Sequence, residues 1–203
     1  MSSRLPTRQA ADQAGSDERR LRAEIGRTHG RCLLTGGQTG VDTAAALAGL
    51  RAGLPVHLVF PRGLRQEDGP LTPDRRLAFR GAALHELASP EFSHRTWTCV
   101  YLSDAIILID PAGGEGCQET VRAADHLSRP LLNLPAGLEL HQDERSAPRL
   151  AQPDAITSWL ERTRPRVLMF AGCRASVLAS RGMGRDLDRQ LDALMPLVAG
   201  GSR

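Results

Sequence analysis

The strongest constraint on the fold is an alternation of short apolar runs with longer segments rich in alanine and leucine. Short, continuous apolar runs are typical of strands that are buried on both faces of a sheet. We predict strands at residues 32–35, 56–60, 83–87, 105–109, 131–134 and 166–170. We predict helices at residues 41–51, 74–79, 91–102 and 117–127, one around residues 156–160 and a last one around residues 187–194. This order of elements predicts an α/β fold with a parallel sheet covered by helices on both faces.

The length of the chain, 203 residues, suits one domain. The first 28 residues are rich in Arg, Asp, Gln, Ser and Ala. We predict that residues 1–28 form a flexible polar extension, within which residues 16–25 could form a short helix. Residues 29–199 are predicted to form the single folded domain.

The basic residues of this chain are all arginines, 26 of them against 23 acidic residues, and lysine is absent. The absence of lysine excludes Schiff-base chemistry on a lysine amine and phosphate binding by a Walker-A lysine. Arginine still binds phosphate and carboxylate well, because its planar guanidinium offers paired N–H donors. The net charge of +3 is small and aromatic residues make up only 3% of the chain, so we do not expect a nucleic-acid partner.

The sequence carries no signal for a membrane, a secretory route or a metal. Its apolar runs all fall short of the roughly 18 residues that a membrane-spanning helix needs, and the N-terminus lacks the apolar core of a signal peptide. The four cysteines form no CxxC pair and the six histidines are scattered, so we expect neither a metal site nor a disulfide framework. A reducing cytoplasm is the expected location.

The first loop with candidate chemistry joins the strand at residues 32–35 to the helix at residues 41–51. Glycines allow a ligand to approach the backbone closely, and the start of a helix offers free N–H groups with a partial positive charge. The loop therefore resembles a phosphate-binding loop, although a tight turn closed by a capping acid would have the same pattern. The candidate ligand-binding residues are Gly36, Gly37, Gln38, Thr39, Gly40 and Asp42.

A second loop, at residues 61–70, combines two arginines with two carboxylates. Arg62 and Arg65 could hold a phosphate. Glu67 and Asp68 could bind a sugar hydroxyl or a metal, or the charges of this loop could simply pair with one another.

A third loop, at residues 110–116, places glycines before the helix predicted at residues 117–127. Gly113, Gly114 and Gly116 would form a second anion-binding loop at the same edge of the sheet. Glu119 in the first turn of the helix could act as a general acid or base or accept a ligand hydroxyl, or it could only complement the helix dipole. After the last strand, Arg174 could close on an anion or remain a surface arginine.

Several segments, taken in order, resemble the molybdenum-cofactor carrier family, a branch of the Rossmann-like SLOG superfamily that is related to the lysine-decarboxylase-like phosphoribohydrolases. The resemblance rests on GGQTGVD at residues 36–42, PRGLRQEDGP at 61–70, RTWTCV at 95–100, SDAIILI at 103–109, a GG loop from residue 113 and LMFAGCRAS at 168–176. This chain departs from the family pattern at Cys99, where the family has asparagine, and at 171–176, where AGCRAS replaces AGPRES.

The resemblance implies a Rossmann-like three-layer sandwich with a mostly parallel sheet. It also implies a binding protein for a phosphorylated small molecule, either molybdenum cofactor or a nucleotide, with molybdoenzymes as possible partners. One alternative is a nucleoside 5′-monophosphate phosphoribohydrolase in which Glu119 assists cleavage of the N-glycosidic bond; the other is a nucleotide-sensing signalling module. A carrier is favoured over an enzyme, because the glycine loop of the hydrolases matches only in part, and a homo-oligomer is expected.

Overall fold

The computed structural model describes residues 8–109, 114–135, 153–182 and 184–200, and of residues 8–14 and 184–186 it describes the backbone alone. Gly113 and most of the polar loop predicted after residue 134 lie outside this part of the chain.

The strands of the described residues are β1 (Cys32–Thr35), β2 (Val56–Phe60), β3 (Arg65–Gln66), β4 (Gly69–Pro70), β5 (Ala83–Glu86), β6 (Ala105–Ile109), β7 (Leu131–Leu134) and β8 (Val167–Gly172). Strands β1, β2 and β6 are short apolar runs that are buried along their whole length, as expected for strands covered on both faces of a sheet. Strands β5 and β7, at the two edges of the main sheet, are only partly buried.

The helices lie between these strands, as the alternating pattern predicted. They are α1 (Arg8–Gly26), α2 (Val41–Arg51), α3 (Pro73–Ala78), α4 (Phe92–Leu102), α5 (Glu115–His126), α6 (Pro153–Thr163), α7 (Ala175–Ser180) and α8 (Gly184–Gly200). Helices α2, α6 and α8 pack together on one face of the sheet, and α1, α4 and α5 pack on the other. The protein is therefore a three-layer α/β sandwich of the Rossmann-like type.

Six strands form one sheet in the order β5-β2-β1-β8-β6-β7, and every pairing within it is parallel. The last strand of the chain lies at the centre, where Leu34 is paired with Met169 and Ile107 with Phe170. The chain winds outward from β1 in one direction and from β6 in the other, so the order of strands reverses across β8. Loops diverge at such a point and leave a crevice at the carboxyl ends of the strands.

Two short elements were not predicted. The loop at residues 61–70 contains an antiparallel hairpin of β3 and β4, and the segment after β8 turns directly into α7. A hairpin of two-residue strands has too little apolar periodicity to be recognised in a sequence.

Helix α1 is longer than the helix predicted at residues 16–25, and its second half packs against the folded body. Leu21 and Ile25 are buried in the core. Asp17 accepts a hydrogen bond from the backbone N–H of Ala88 at 2.8 Å. The apolar positions 21 and 25 are one helical turn apart, which is the signal in the sequence that this segment packs against a surface. The boundary between extension and domain at residue 29 stays a prediction.

A chain of hydrogen-bonded polar groups, of which His57 and His85 are buried, connects α1 to the sheet. Glu24 of α1 accepts a hydrogen bond from Nδ1 of His85 at 3.0 Å. The His85 Nε2 lies 3.0 Å from the His57 Nδ1, and the His57 Nε2 lies 3.0 Å from the Thr28 hydroxyl. Each contact in this order has one donor and one acceptor when both imidazoles are neutral. Burial lowers the pKa of both histidines, that of His57 to about 4.

Candidate functional site

A pocket of about 570 Å³ opens at the carboxyl ends of the central strands, where the order of strands reverses. Its walls are the loop after β1, the first turns of α4 and α5, and the segment that follows β8. Six residues that the sequence predicted as site residues line it: Gln38, Asp42, Gly114, Gly116, Glu119 and Arg174.

The glycines of the first loop allow protein atoms to pack closely. A Cβ on Gly37, which has φ +65°, would lie 2.5 Å from the ring of Phe60. A Cβ on Gly40, which has φ +79°, would lie 2.4 Å from the carbonyl oxygen of Cys173. These positions require glycine because the chain itself occupies the space, and Gly36, Gly37, Thr39 and Gly40 are not among the residues that line the pocket.

Backbone N–H groups of the first loop already have acceptors within the protein. The N–H of Gly37 donates to the Thr35 hydroxyl at 3.2 Å, and that of Gln38 donates to a carboxylate oxygen of Asp42 at 3.2 Å. The N–H of Thr39 donates to the side-chain oxygen of Gln38 at 3.0 Å. The carboxylate of Asp42 thus occupies the place at the start of α2 where a bound oxyanion would accept hydrogen bonds.

Asp42 also pairs with Arg95 of α4, a residue that sequence reasoning did not select as a site residue. Nη1 of Arg95 donates to Oδ2 of Asp42 at 3.1 Å, and both side chains are buried. Burial raises the pKa of Asp42, and the neighbouring Arg95 guanidinium opposes this rise. Arg95 follows Phe92 by three residues and precedes Cys99 by four, so its place on the buried stripe of the helix was readable from the periodicity.

Glu67 of the second loop holds other parts of the protein together. One carboxylate oxygen accepts hydrogen bonds from the Thr39 hydroxyl and, at 3.2 Å, from the backbone N–H of Ser176. The other accepts the Ser176 hydroxyl at 2.5 Å. Burial would raise the pKa of Glu67, but these hydrogen bonds outweigh it and keep the pKa below its ordinary value. Glu67 therefore joins the hairpin, the first loop and the start of α7.

The remaining charges of the second loop lie outside the pocket. Asp68 forms a two-oxygen ion pair with Arg75, at 2.9 and 2.5 Å. Arg62 is exposed, and the guanidinium of Arg65 lies 5.4 Å from the ring centre of Phe92, in a cation–π contact. None of the four charged residues predicted in this loop lines the pocket, although Glu67 and Arg65 contact residues that do.

The third loop leads into α5, and the N-terminus of this helix is open to the pocket. Gly114 precedes α5, and no side chain of the described residues caps this end of the helix. Gly114 and Gly116 both line the pocket, and a Cβ on either would meet nothing within 4 Å. The first N–H groups of a helix carry a partial positive charge and need acceptors. This end of α5 can therefore accept an anion from the pocket.

Glu119, one turn into α5, is held on both oxygens. One oxygen accepts the indole N–H of Trp97, and the other accepts a guanidinium N–H of Arg122. Burial would raise the pKa of Glu119, but these hydrogen bonds outweigh it and lower the pKa. Glu119 is therefore an ionised acceptor at the wall of the pocket. Trp97 and Arg122 were not predicted as site residues.

Among the described residues, three arginines line the pocket: Arg95, Arg122 and Arg174. Each has an acidic neighbour, and for Arg174 this is Glu67, at 4.0 Å. A guanidinium has five N–H donors, and one carboxylate uses at most two of them. The carboxylates therefore position the three cations and leave N–H donors for a ligand.

In the described part of the chain, no cluster of three or more His, Cys, Asp or Glu side chains could hold a metal ion. Two cysteines, Cys117 and Cys173, line the pocket and are buried. None of the described helices is both long and apolar enough to cross a membrane.

A parallel sheet with a pocket at the crevice where the order of strands reverses is the architecture of the Rossmann-like fold, in which ligands bind at the carboxyl edge of the sheet. The chain belongs to the circularly permutated YpsA SLOG family, whose model matches residues 33–194. The last strand of this chain lies at the centre of the sheet, an arrangement consistent with a permuted order of elements. The resemblance found in the sequence is confirmed.

A solved structure with the same fold is that of a protein from Syntrophus aciditrophicus SB, provisionally named a molybdenum carrier protein. It is 24% identical, with a TM-score of 0.62, over 80% of this chain and 93% of the other. The structure of AtPrR2 in apo form is more distant, with a TM-score of 0.37 and 17% identity over 70% of this chain and 47% of the other. No curated protein matches the chain.

Proposed function

We propose that the protein binds a phosphorylated small molecule in the pocket at the carboxyl edge of the sheet. The observation that carries this proposal is the start of α5, which opens into the pocket, has no capping side chain among the described residues and is preceded by the uncrowded Gly114. Phosphate binds well at a helix start because several N–H groups and the helix dipole point toward it.

The arginines of the pocket support the same ligand class. They are permanently charged, and their forked donors match the oxygens of a phosphate. Glu119, which is ionised, would accept a hydroxyl or amino hydrogen from the other end of the ligand. A ligand with a phosphate and a hydrogen-bonding ring system would contact both the arginines and Glu119. A pocket of about 570 Å³ is large enough for such a molecule.

Among ligands of this class, molybdenum cofactor is our first candidate. It carries a phosphate, and its pterin ring carries hydrogen-bond donors. The Syntrophus protein with the same fold is provisionally named a molybdenum carrier. The protein would hold the cofactor as cargo, in a cytoplasmic pool from which molybdoenzymes are loaded. We expect a homo-oligomer.

A protection experiment tests the carrier role. The protein is loaded anaerobically with extracted molybdenum cofactor and then exposed to air. The surviving cofactor is measured by its ability to activate a cofactor-free molybdoenzyme. A carrier slows the loss of activity relative to free cofactor, because the pocket shields the ligand from water and oxygen. A loss at the rate of free cofactor, together with tight binding of a nucleotide, would reject the carrier role.

A second candidate is hydrolysis of the N-glycosidic bond of a nucleoside monophosphate, which the place of Glu119 at the pocket wall favours. Water would replace the base at C1 of the ribose, the leaving nitrogen would take a proton, and an ionised carboxylate would stabilise the positive charge that develops on the sugar. AMP should then yield adenine and ribose 5-phosphate.

Two matched variants test this second candidate. Glu119→Gln should abolish adenine release. Asp125→Asn, which changes an exposed residue of the same helix, should leave adenine release unchanged. Binding of AMP without cleavage would exclude the hydrolase and favour a nucleotide-sensing module.

A further inference from the structure

Arg95 has a buried N–H donor for which no described residue provides an acceptor. Its Nη1 is bonded to Asp42, but its Nε is buried and has no hydrogen-bond partner among the described residues. The residue is 8% exposed and lines the pocket. A buried donor without an acceptor costs free energy, and more so when the donor is charged. A ligand acceptor that reaches this nitrogen from the pocket would remove this cost.

The first loop is shaped around this guanidinium. A Cβ on Gly36 would lie 1.4 Å from Nη1 of Arg95 and 2.8 Å from Oδ2 of Asp42. The glycine at position 36 thus makes room for the ion pair between Arg95 and Asp42, where the sequence had indicated room for a phosphate.

We propose that Arg95 is the arginine that recognises the anion of the ligand, and that Asp42 is an internal counterion which holds Arg95 until the anion binds. The inference rests on the proposed function. A negative ligand and the Asp42 carboxylate compete for the same guanidinium, so ligand binding weakens the contact between Arg95 and Asp42. The ligand class is a small molecule with a phosphate or another compact oxyanion.

Because the ligand and Asp42 compete for Arg95, substitutions of Arg95 and Asp42 should change the ligand affinity in opposite directions. Arg95→Met keeps an unbranched apolar stem and removes the charged guanidinium, and it should weaken binding by about 10- to 100-fold, as expected for the loss of charged hydrogen bonds. Asp42→Asn removes the competing negative charge while an oxygen remains for the N–H of Gln38, and it should strengthen binding by about 3- to 10-fold.

Gly36→Ala tests whether the position of the Arg95 guanidinium matters for binding, without a substitution at Arg95 itself. The new methyl group displaces the flexible end of Arg95, so the fold should persist while binding weakens. The matched controls are Arg51→Met and Asp192→Asn, which break an exposed ion pair of 2.8 Å between α2 and α8, outside the residues that line the pocket. These controls should leave affinity unchanged.

The experiment is an anaerobic calorimetric titration of each variant with two probes, AMP and molybdenum cofactor, after circular dichroism has verified folding. Weaker binding by Arg95→Met and Gly36→Ala together with tighter binding by Asp42→Asn supports the inference. Equal weakening by Arg95→Met and Asp42→Asn overturns it, since the pair would then be a structural support. Unchanged affinity of Arg95→Met also overturns it, and the proposed function would stand. A wild-type protein that binds neither probe rejects the proposed function and the inference together.

Discussion

The hydroxyl group of Ser176 donates to Oε2 of Glu67 at 2.5 Å and so connects the start of α7 to the hairpin after β2. Glu67→Gln should lower the free energy of unfolding by roughly 1–2 kcal/mol, because an amide offers one acceptor where the carboxylate offers two charged ones. Urea denaturation followed by circular dichroism measures this change.

The adjacent residue provides the control for this substitution. Asp68 is paired with Arg75 at the surface, where both side chains are 44% exposed. Asp68→Asn should cost less than about 1 kcal/mol because exposed ion pairs contribute little. An effect of Asp68→Asn equal to that of Glu67→Gln would contradict the connecting role of Glu67.

Gly40 and Gly53 illustrate two reasons why a position requires glycine, a positive φ and a lack of space for a side chain. Both have positive φ, +79° and +74°, but only Gly40 is crowded by the backbone of residues 173–175. Gly53→Ala should cost about 1 kcal/mol, the usual cost of this backbone conformation. Gly40→Ala should cost roughly 3 kcal/mol or more, because backbone atoms must also move. Similar unfolding midpoints for the two variants would show that crowding at Gly40 is relieved cheaply.

The buried imidazoles of His57 and His85 make stability depend on pH. The pKa of His57 is about 4 in the folded protein, against about 6.5 in an unfolded chain. Between these values the unfolded chain binds more protons, so stability is complete above pH of about 6.5 and falls as the pH decreases toward 4. The loss from His57 is of the order of 3 kcal/mol.

Thermal unfolding between pH 4 and pH 7.5 checks this prediction. His57→Asn should flatten the acid side of the profile, and His29→Asn, at an exposed position, should leave it unchanged. A wild-type profile without a decrease below pH 6.5 would contradict the neutral, hydrogen-bonded state of this cluster.

Gly116 allows the electrostatics of the α5 start to be tested without loss of the fold. A side chain there meets nothing within 4 Å, and a carboxylate in the first turn of a helix is favourable. Gly116→Asp should therefore keep or slightly raise the unfolding temperature while it weakens binding of AMP or molybdenum cofactor by at least about tenfold, because it places a negative charge where the phosphate binds. Gly116→Ala should retain binding. Equal affinities of the two variants would contradict a phosphate at this helix start.

The sheet and most helices could be predicted from the sequence because local patterns determine them. The buried strand at Ala105–Ile109 and the helix at Val41–Arg51 were predicted with the bounds that the structure has. The central position of β8 could not be predicted, since pairing between strands distant in the chain has no local signal. Helix α1 begins at Arg8 instead of at the predicted residue 16, because its first residues are polar and have no apolar periodicity.

The candidate site was predicted only in part, since a sequence does not show which polar groups satisfy one another. The glycines of residues 36–40 have the pattern of an anion-binding loop, but their neighbours are Phe60, the Cys173 carbonyl and the Arg95 guanidinium. Glu67 was predicted as a ligand-binding residue, but it accepts hydrogen bonds from the hydroxyl groups of Thr39 and Ser176, which lie far from it in the sequence.

Native mass spectrometry tests the central claim most directly. The wild-type protein and the Arg95→Met variant are incubated anaerobically with AMP or with molybdenum cofactor, and the masses of the intact complexes are recorded. The account predicts one phosphorylated ligand per chain on the wild-type protein and much less on the variant. A wild-type protein that retains neither ligand would contradict the account.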